Sequence, residues 1–213
     1  MIVDNSSSIS ENVTSSWQSS VSNRPAVLVP VKQFGQAKHR LSKVLSSDER
    51  ADLARKMAEH VLAAAYPLPC AVVCETKEVA NWAESQGALA LERPSLGLNR
   101  AVTDGVERVF SLGASEVIVV HSDLPGAREI VRLSGYEGIT IVPDRKRSGT
   151  NAICIPRGCS FNFSYGKGSF HRHLDQARKS GFPVRVMLDA YGLSLDVDLP
   201  KDLYEALETG LLQ

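Results

Sequence analysis

The sequence predicts an open α/β fold with a largely parallel sheet and an antiparallel addition. Short apolar runs alternate with helical stretches from residue 26 to about residue 133, the pattern of parallel strands joined by crossover helices. A-V-L-V-P-V at 26–31 and the V-I-V-V inside E-V-I-V-V-H at 116–121 are apolar, as strands covered on both faces require. From residue 138 to 198 the chain returns to short β-rich runs, which suggests an added antiparallel strand or ribbon. The 213 residues suit one domain with a sizeable core, or one domain and a tail.

The elements follow in order. Residues 1–24 hold nine serines and a single basic residue, Arg24, and read as a disordered tail with neither the apolar core of a signal peptide nor the arginines of a transit peptide. Residues 25–213 read as one domain. The run 26–31 is a first buried strand, ending at Lys32 in a polar loop that carries Lys38, His39 and Arg40. Open α/β sheets place ligands at such strand ends, though a solvated loop would look the same. Ser47, Asp48 and Glu49 cap a helix over 48–66, stopped by Pro67. Residues 70–74 form a second strand, 77–86 a helix capped by Thr76, and 88–91 a third strand. A helix over 97–112 has Asn99 and Arg100 in its first turn, where they could face a ligand or cap the helix. After the strand 116–121 comes Ser122-Asp123-Leu124-Pro125. Asp123 is placed to hold a metal or a ligand hydroxyl, and equally to cap a helix over 127–133. Strands at 139–142, 152–156, 184–188 and 193–198 and helices at 170–179 and 201–207 complete the chain.

Two stretches carry chemistry. Between 143 and 170, small and hydroxyl residues (Ser148, Gly149, Thr150, then Ser164, Gly166, Gly168, Ser169) form two clusters around an apolar run. Arg145, Lys146, Arg147 and Lys167 flank them. Glycine admits close backbone approach, hydroxyls donate hydrogen bonds and cations balance charge. Gly166–Ser169 also opens a helix, whose N–H groups would face an anion. One such cluster alone fits a surface turn; two around a strand favour a phosphate or carboxylate site. The second stretch is L-S-L-D-V-D at 193–198. Asp196 and Asp198 lie two apart on an expected strand and share a face. Side by side they need a cation between them, and Mg²⁺ would supply it; a solvated strand end is the plainer alternative.

Equal counts of 24 basic and 24 acidic residues argue against non-specific nucleic-acid binding. No apolar stretch is long enough to span a membrane. Cys70, Cys74 and Cys154 lie in apolar runs, and with Cys159 they fit zinc spacing poorly. They read as reduced thiols of a cytoplasmic protein. Composition leaves the oligomeric state open, a homodimer included.

Taken together, V-P-V-K (29–32), A-K-H-R-L (37–41), S-D-L-P (122–125), P-D-R-x3-G-T-N-A (143–152), F-S-Y-G-K-G-S-F (163–170) and L-D-V-D (195–198) resemble the guanylyltransferases of deazaflavin coenzyme F-420 biosynthesis. The resemblance covers residues 25–208. It implies a three-layer, Rossmann-like nucleotidyltransferase fold, and transfer of GMP from GTP to the phosphate of a small acid, phosphoenolpyruvate or 2-phospho-L-lactate, with release of pyrophosphate. It further implies that Asp123, Asp196 and Asp198 hold Mg²⁺ as the catalytic carboxylates. Thr150, Gly166 and Ser169 would bind the acid, and Lys32, Lys38 and Arg40 the GTP phosphates. Two other readings stand beside it. One is a nucleotidyltransferase for a sugar phosphate or molybdopterin, against which the loop after the first strand has a single glycine, Gly35. The other is a non-enzymatic module binding a phosphorylated metabolite, which would not need the aspartate pair.

Overall fold

The computed structural model describes residues 17–94 and 96–212. Seven strands form one sheet in the order β3-β2-β1-β4-β6-β5-β7: β1 Pro25–Val31, β2 Cys70–Cys74, β3 Leu89–Glu92, β4 Glu116–Val120, β5 Ile139–Pro143, β6 Thr150–Pro156 and β7 Val184–Val186. β6 runs antiparallel to its neighbours β4 and β5, and the other pairings are parallel. This is the mostly parallel sheet with an antiparallel insertion that the alternation of runs leads one to expect.

Alternation along the central strands explains the layering. Leu28, Val117, Val119, Ile153 and Ile155 face one core, with α3 (Gly97–Ser111) and α4 (Ser169–Lys179). Val27, Val29, Ile118, Val120 and Cys154 face another, with α1 (Ser47–Ala64) and α2 (Lys77–Ser85). Each fully buried Val or Ile contributes about 1.5–3 kcal/mol relative to exposure, so a strand apolar on every residue stays in the middle layer. A third, smaller cluster joins Leu41 and Met57 to Leu195, Val197, Leu203 and Ala206, the last two on α5 (Pro200–Glu208).

The chain departs from expectation in five places. Residues 17–24 do not belong to a tail. Residues 17–21 are helical, Trp17 is 5 % exposed and Val21 fully buried. The Trp17 indole donates to Cys70 O at 3.0 Å; serine richness outweighed two large apolar residues in the reading of composition. Residues 1–16 lie outside the described residues. Helix α1 begins one residue earlier than expected, because Ser46 caps it in a reciprocal pair with Glu49. Only Ile130–Leu133 of the expected helix 127–133 is helical, as a short 3-10 turn. β7 stops at Val186, and Leu188 is exposed. Residues 193–194 form a turn, and residues 195–198 join no ladder.

That last segment is stitched by single bonds instead. Asn151 Nδ2 donates to Leu193 O at 2.9 Å, Arg145 N to Ser194 O at 3.1 Å, and Val197 N to Asp123 O at 3.1 Å. Leu195 and Val197 still point into the third core cluster, so Asp196 and Asp198 still share the opposite side. The sequence period survives although the strand does not.

Candidate active site

β1 and β4 are neighbours, and the chain leaves β1 towards β2 and β4 towards the other half of the sheet. Their carboxyl ends therefore open a crevice at the switch point, where such sheets bind ligands. Two cavities occupy it. The first, of about 520 Å³, is lined by Lys32, Lys38, His39 and Arg40 with apolar Met57, Leu98 and Ala101. The second, of about 480 Å³, is lined by Lys146, Ser148, Gly149, Thr150, Tyr165, Lys167, Ser169 and Asp196. Arg40, His121, Asp123, Gly166 and Asp198 belong to both walls. The structure thus collects Lys32 and Lys38 on one side, Thr150 and Ser169 on the other, and Arg40, Gly166, Asp123 and Asp198 where the two meet.

The junction is organised by Lys38. This residue sits in the left-handed region (φ 55°). Nζ lies 2.6 Å from Asp123 Oδ2 and 3.2 Å from Asp198 Oδ1. Arg40 reaches the other Asp198 oxygen at 3.3 Å. Burial works against the charge on Lys38, yet the two carboxylates outweigh it and hold its pKa above the usual lysine value. Burial likewise opposes ionisation of Asp123, and Lys38 outweighs it, so this carboxyl stays ionised. Asp196 has no such partner. Burial, then the charges of Asp123 and Asp198, push its pKa up to about 6. Among the described residues no three His, Cys, Asp or Glu side chains are already gathered as a metal-ligand set.

Four buried side-chain polar atoms lack a partner among the described residues: Arg50 Nε, His121 Nε2, Asp123 Oδ1 and Tyr165 OH. The last three belong to residues that line the second cavity. A buried polar atom without a hydrogen bond costs about 1–3 kcal/mol, so three in one place point to a ligand that completes them. His121 and Tyr165 are functional candidates that the sequence reading passed over. His121 ends the apolar run of β4, and Tyr165 continues the alternation of Phe161 and Phe163. A polar side chain closing a buried run was the signal. Lys146 and Lys167 also line this cavity and form no ion pair among the described residues.

The loop 164–168 is rigidly held. Arg172 donates to Lys167 O and Ser164 O, both at 2.7 Å, and Asn99 Oδ1 accepts from Tyr165 N at 2.7 Å. Asn99 therefore braces the loop, while Arg100 makes a surface pair with Asp104. Gly166 has φ 113°, open to glycine and strained for other residues. At the start of α4 two amides are already engaged. Ser169 N donates to Gly166 O and Phe170 N to Ser148 O, both at 3.0 Å, so these amides shape the loop. Arg145 is similarly engaged, by Glu205 and Asp202.

All four cysteines are free thiols. Burial raises Cys70 to about 12 and Cys74 to about 11, so neither ionises at neutral pH. Among the described residues no helix is long and apolar enough to cross a membrane.

Comparison with known proteins agrees with this geometry. A protein of Sphaerobacter thermophilus named phosphoenolpyruvate guanylyltransferase is 37 % identical over 187 residues, covering 84 % of this chain and 90 % of its own. One of Methanoregula boonei named 2-phospho-L-lactate guanylyltransferase is 34 % identical over 189 residues, covering 87 % and 83 %. Among solved structures, a putative nucleotide-diphospho-sugar transferase of Desulfovibrio desulfuricans superposes with a TM-score of 0.71 at 18 % identity, covering 88 % of each chain. A Mycobacterium tuberculosis protein in complex with manganese superposes at 0.51 and 14 % identity, covering 87 % of this chain and 100 % of its own. These two likenesses show the nucleotidyltransferase fold. The model of the family described as "Guanylyl transferase CofC like" matches residues 25–211, and the chain belongs to that family of nucleotidyltransferases.

Proposed function

We propose that the protein transfers GMP from GTP to the phosphate of a small phosphorylated acid, releasing pyrophosphate, as a step of coenzyme F-420 biosynthesis. Phosphoenolpyruvate is the first candidate acceptor and 2-phospho-L-lactate the second, after the named relatives. One observation carries this reading: a cationic cavity and a hydroxyl- and lysine-lined cavity share the wall that holds Asp123 and Asp198. Two phosphate-bearing substrates, one in each, would meet across those carboxylates.

The fold family implies a divalent cation, and the residues fit one. Asp123 Oδ1 is buried and unpartnered, Asp196 is driven towards its neutral form by burial and then by the neighbouring carboxylates, and all the donors are hard oxygens. Asp123, Asp196 and Asp198 would hold Mg²⁺, with substrate phosphates completing its shell. Bound there, the ion would neutralise phosphate oxygens and stabilise charge that develops at the α-phosphoryl group.

The remaining work falls to the chain. Lys32, Lys38 and Arg40 hold the triphosphate, and Lys38 moves from the carboxylates to the phosphates. Thr150, Gly166 and Ser169, with Lys146 and Lys167, hold the acid. An oxygen of its phosphate then attacks the α-phosphorus, a P–O bond forms, and the bond to the β-phosphate breaks with its electron pair leaving on pyrophosphate. Both reactants arrive as anions, so positioning and charge neutralisation suffice and no protein nucleophile is needed. The unpaired, high-pKa thiols suit a cytoplasmic setting.

Pyrophosphate release from GTP tests the reading when phosphoenolpyruvate, 2-phospho-L-lactate, mannose 1-phosphate and no acceptor are compared. Release that depends on either acid, with the guanylyl ester seen by mass, is expected. Release with mannose 1-phosphate alone, or with no acceptor, overturns it.

A further inference from the structure

His173 is fully buried beneath the second cavity and touches no open space. The rings of Phe161, Phe163 and Tyr165 surround it, with centroids 5.6, 6.3 and 5.0 Å away. The backbone N–H of Ser164 reaches its Nε2 at 2.9 Å. A backbone N–H can only donate, so Nε2 must accept and carries no proton. The proton of the neutral ring therefore sits on Nδ1, which lies 3.0 Å from Thr150 Oγ1. In this tautomer the ring donates and the hydroxyl oxygen accepts. With the other tautomer Thr150 would spend its own proton on the ring and offer a ligand only a lone pair.

The consequence reaches the ligand. Thr150 is 1 % exposed, and it forms part of the cavity wall. Its O–H proton has no acceptor among the described residues. Its χ1 is stiff, as for any β-branched side chain in a strand. The oxygens of an ionised carboxylate or a fully ionised phosphate accept and do not donate, so they need such a donor.

We infer that His173 is a positioning residue: it fixes the Thr150 hydroxyl as a one-way donor into the second cavity, which thereby selects the acceptor-only oxygens of an acid. The inference rests on the reading of that cavity as the acid site.

Steady-state kinetics with GTP and phosphoenolpyruvate test it in Thr150→Val, His173→Gln and the double variant. Each single change should raise KM for phosphoenolpyruvate at least about tenfold, the loss of one hydrogen bond to a charged group, and leave KM for GTP unchanged. In the Thr150→Val background, His173→Gln should add nothing, because its effect runs through the hydroxyl. Additive effects, or equal rises in both KM values, overturn the inference. A silent His173→Gln beside an active Thr150→Val overturns the positioning role alone. A silent Thr150→Val overturns the reading of the cavity as well. The wild-type protein gives an independent measure should a variant not fold. NMR of nitrogen-labelled histidine, with and without phosphoenolpyruvate, should show one ring held in the Nδ1–H tautomer; an Nε2–H ring there overturns the inference.

Discussion

Lys38 is the residue on which the site's electrostatics turn. Its ammonium lies within 3.2 Å of two carboxylates and its side chain is 9 % exposed. Removing one partner of a buried pair leaves an uncompensated charge and costs about 3 kcal/mol. Lys38→Met should therefore lower the melting temperature in metal-free buffer, and added Mg²⁺ should recover much of the loss. Melting curves with and without Mg²⁺ check this; a variant as stable as the parent in EDTA would show that the pair is not structural. Asp196 behaves in the opposite sense. Its folded pKa of about 6 lies above the usual carboxylate value, so the stability it contributes is present below pH 4 and lost as pH rises through 6. In metal-free buffer Asp196→Asn should be more stable than the parent above pH 6 and no better below pH 4. A gain that is the same at both pH values would contradict the raised pKa. The candidate aspartates were legible from their positions alone: Asp123 follows just after a buried run, and Asp196 and Asp198 alternate with Leu195 and Val197. That Lys38 reaches across to them was not, because no spacing rule links positions 38, 123 and 198.

At the level of elements, the strap 193–198, a turn followed by four residues outside any ladder, positions two of the three aspartates without belonging to the sheet. Its alternation of apolar and polar residues is that of a strand. Which partners it finds depends on tertiary structure: here a loop, a side chain and the third core cluster replace a neighbouring strand. A period of two reports burial, not hydrogen bonding. The strap is set by Gly192, at φ 70°, where a Cβ would lie 1.8 Å from Gly126 O. Arg128 N donates to Tyr191 O at 2.9 Å just beside it, so the two loops cannot part freely. Gly192→Ala should cost about 2 kcal/mol or more and lower kcat, since Asp196 and Asp198 move with the strap. Chemical denaturation and turnover measured on the same variant check both effects; unchanged values would mean that the loops adjust without moving the carboxylates.

Across the whole molecule, the fold class was readable because each central strand is apolar on successive residues and each helix has one apolar side. The single antiparallel strand was readable from the short return after residue 138. The first turn was missed. Trp17 and Val21 belong to one core with Ala114 and Leu112, yet they stand in a serine-rich context that reads as tail. Trp17→Ala should cost about 3–5 kcal/mol, and removal of residues 1–24 should destabilise the protein rather than spare it. The account as a whole rests on two substrates meeting across the carboxylates of Asp123, Asp196 and Asp198. Asn keeps the shape of Asp and removes its charge, so the most direct measurement is the rate of pyrophosphate release from GTP and phosphoenolpyruvate by Asp198→Asn. It should fall at least about a hundredfold while the protein stays folded, because Lys38 still pairs with Asp123. Wild-type turnover by that variant, or full parental activity in EDTA, would contradict the account.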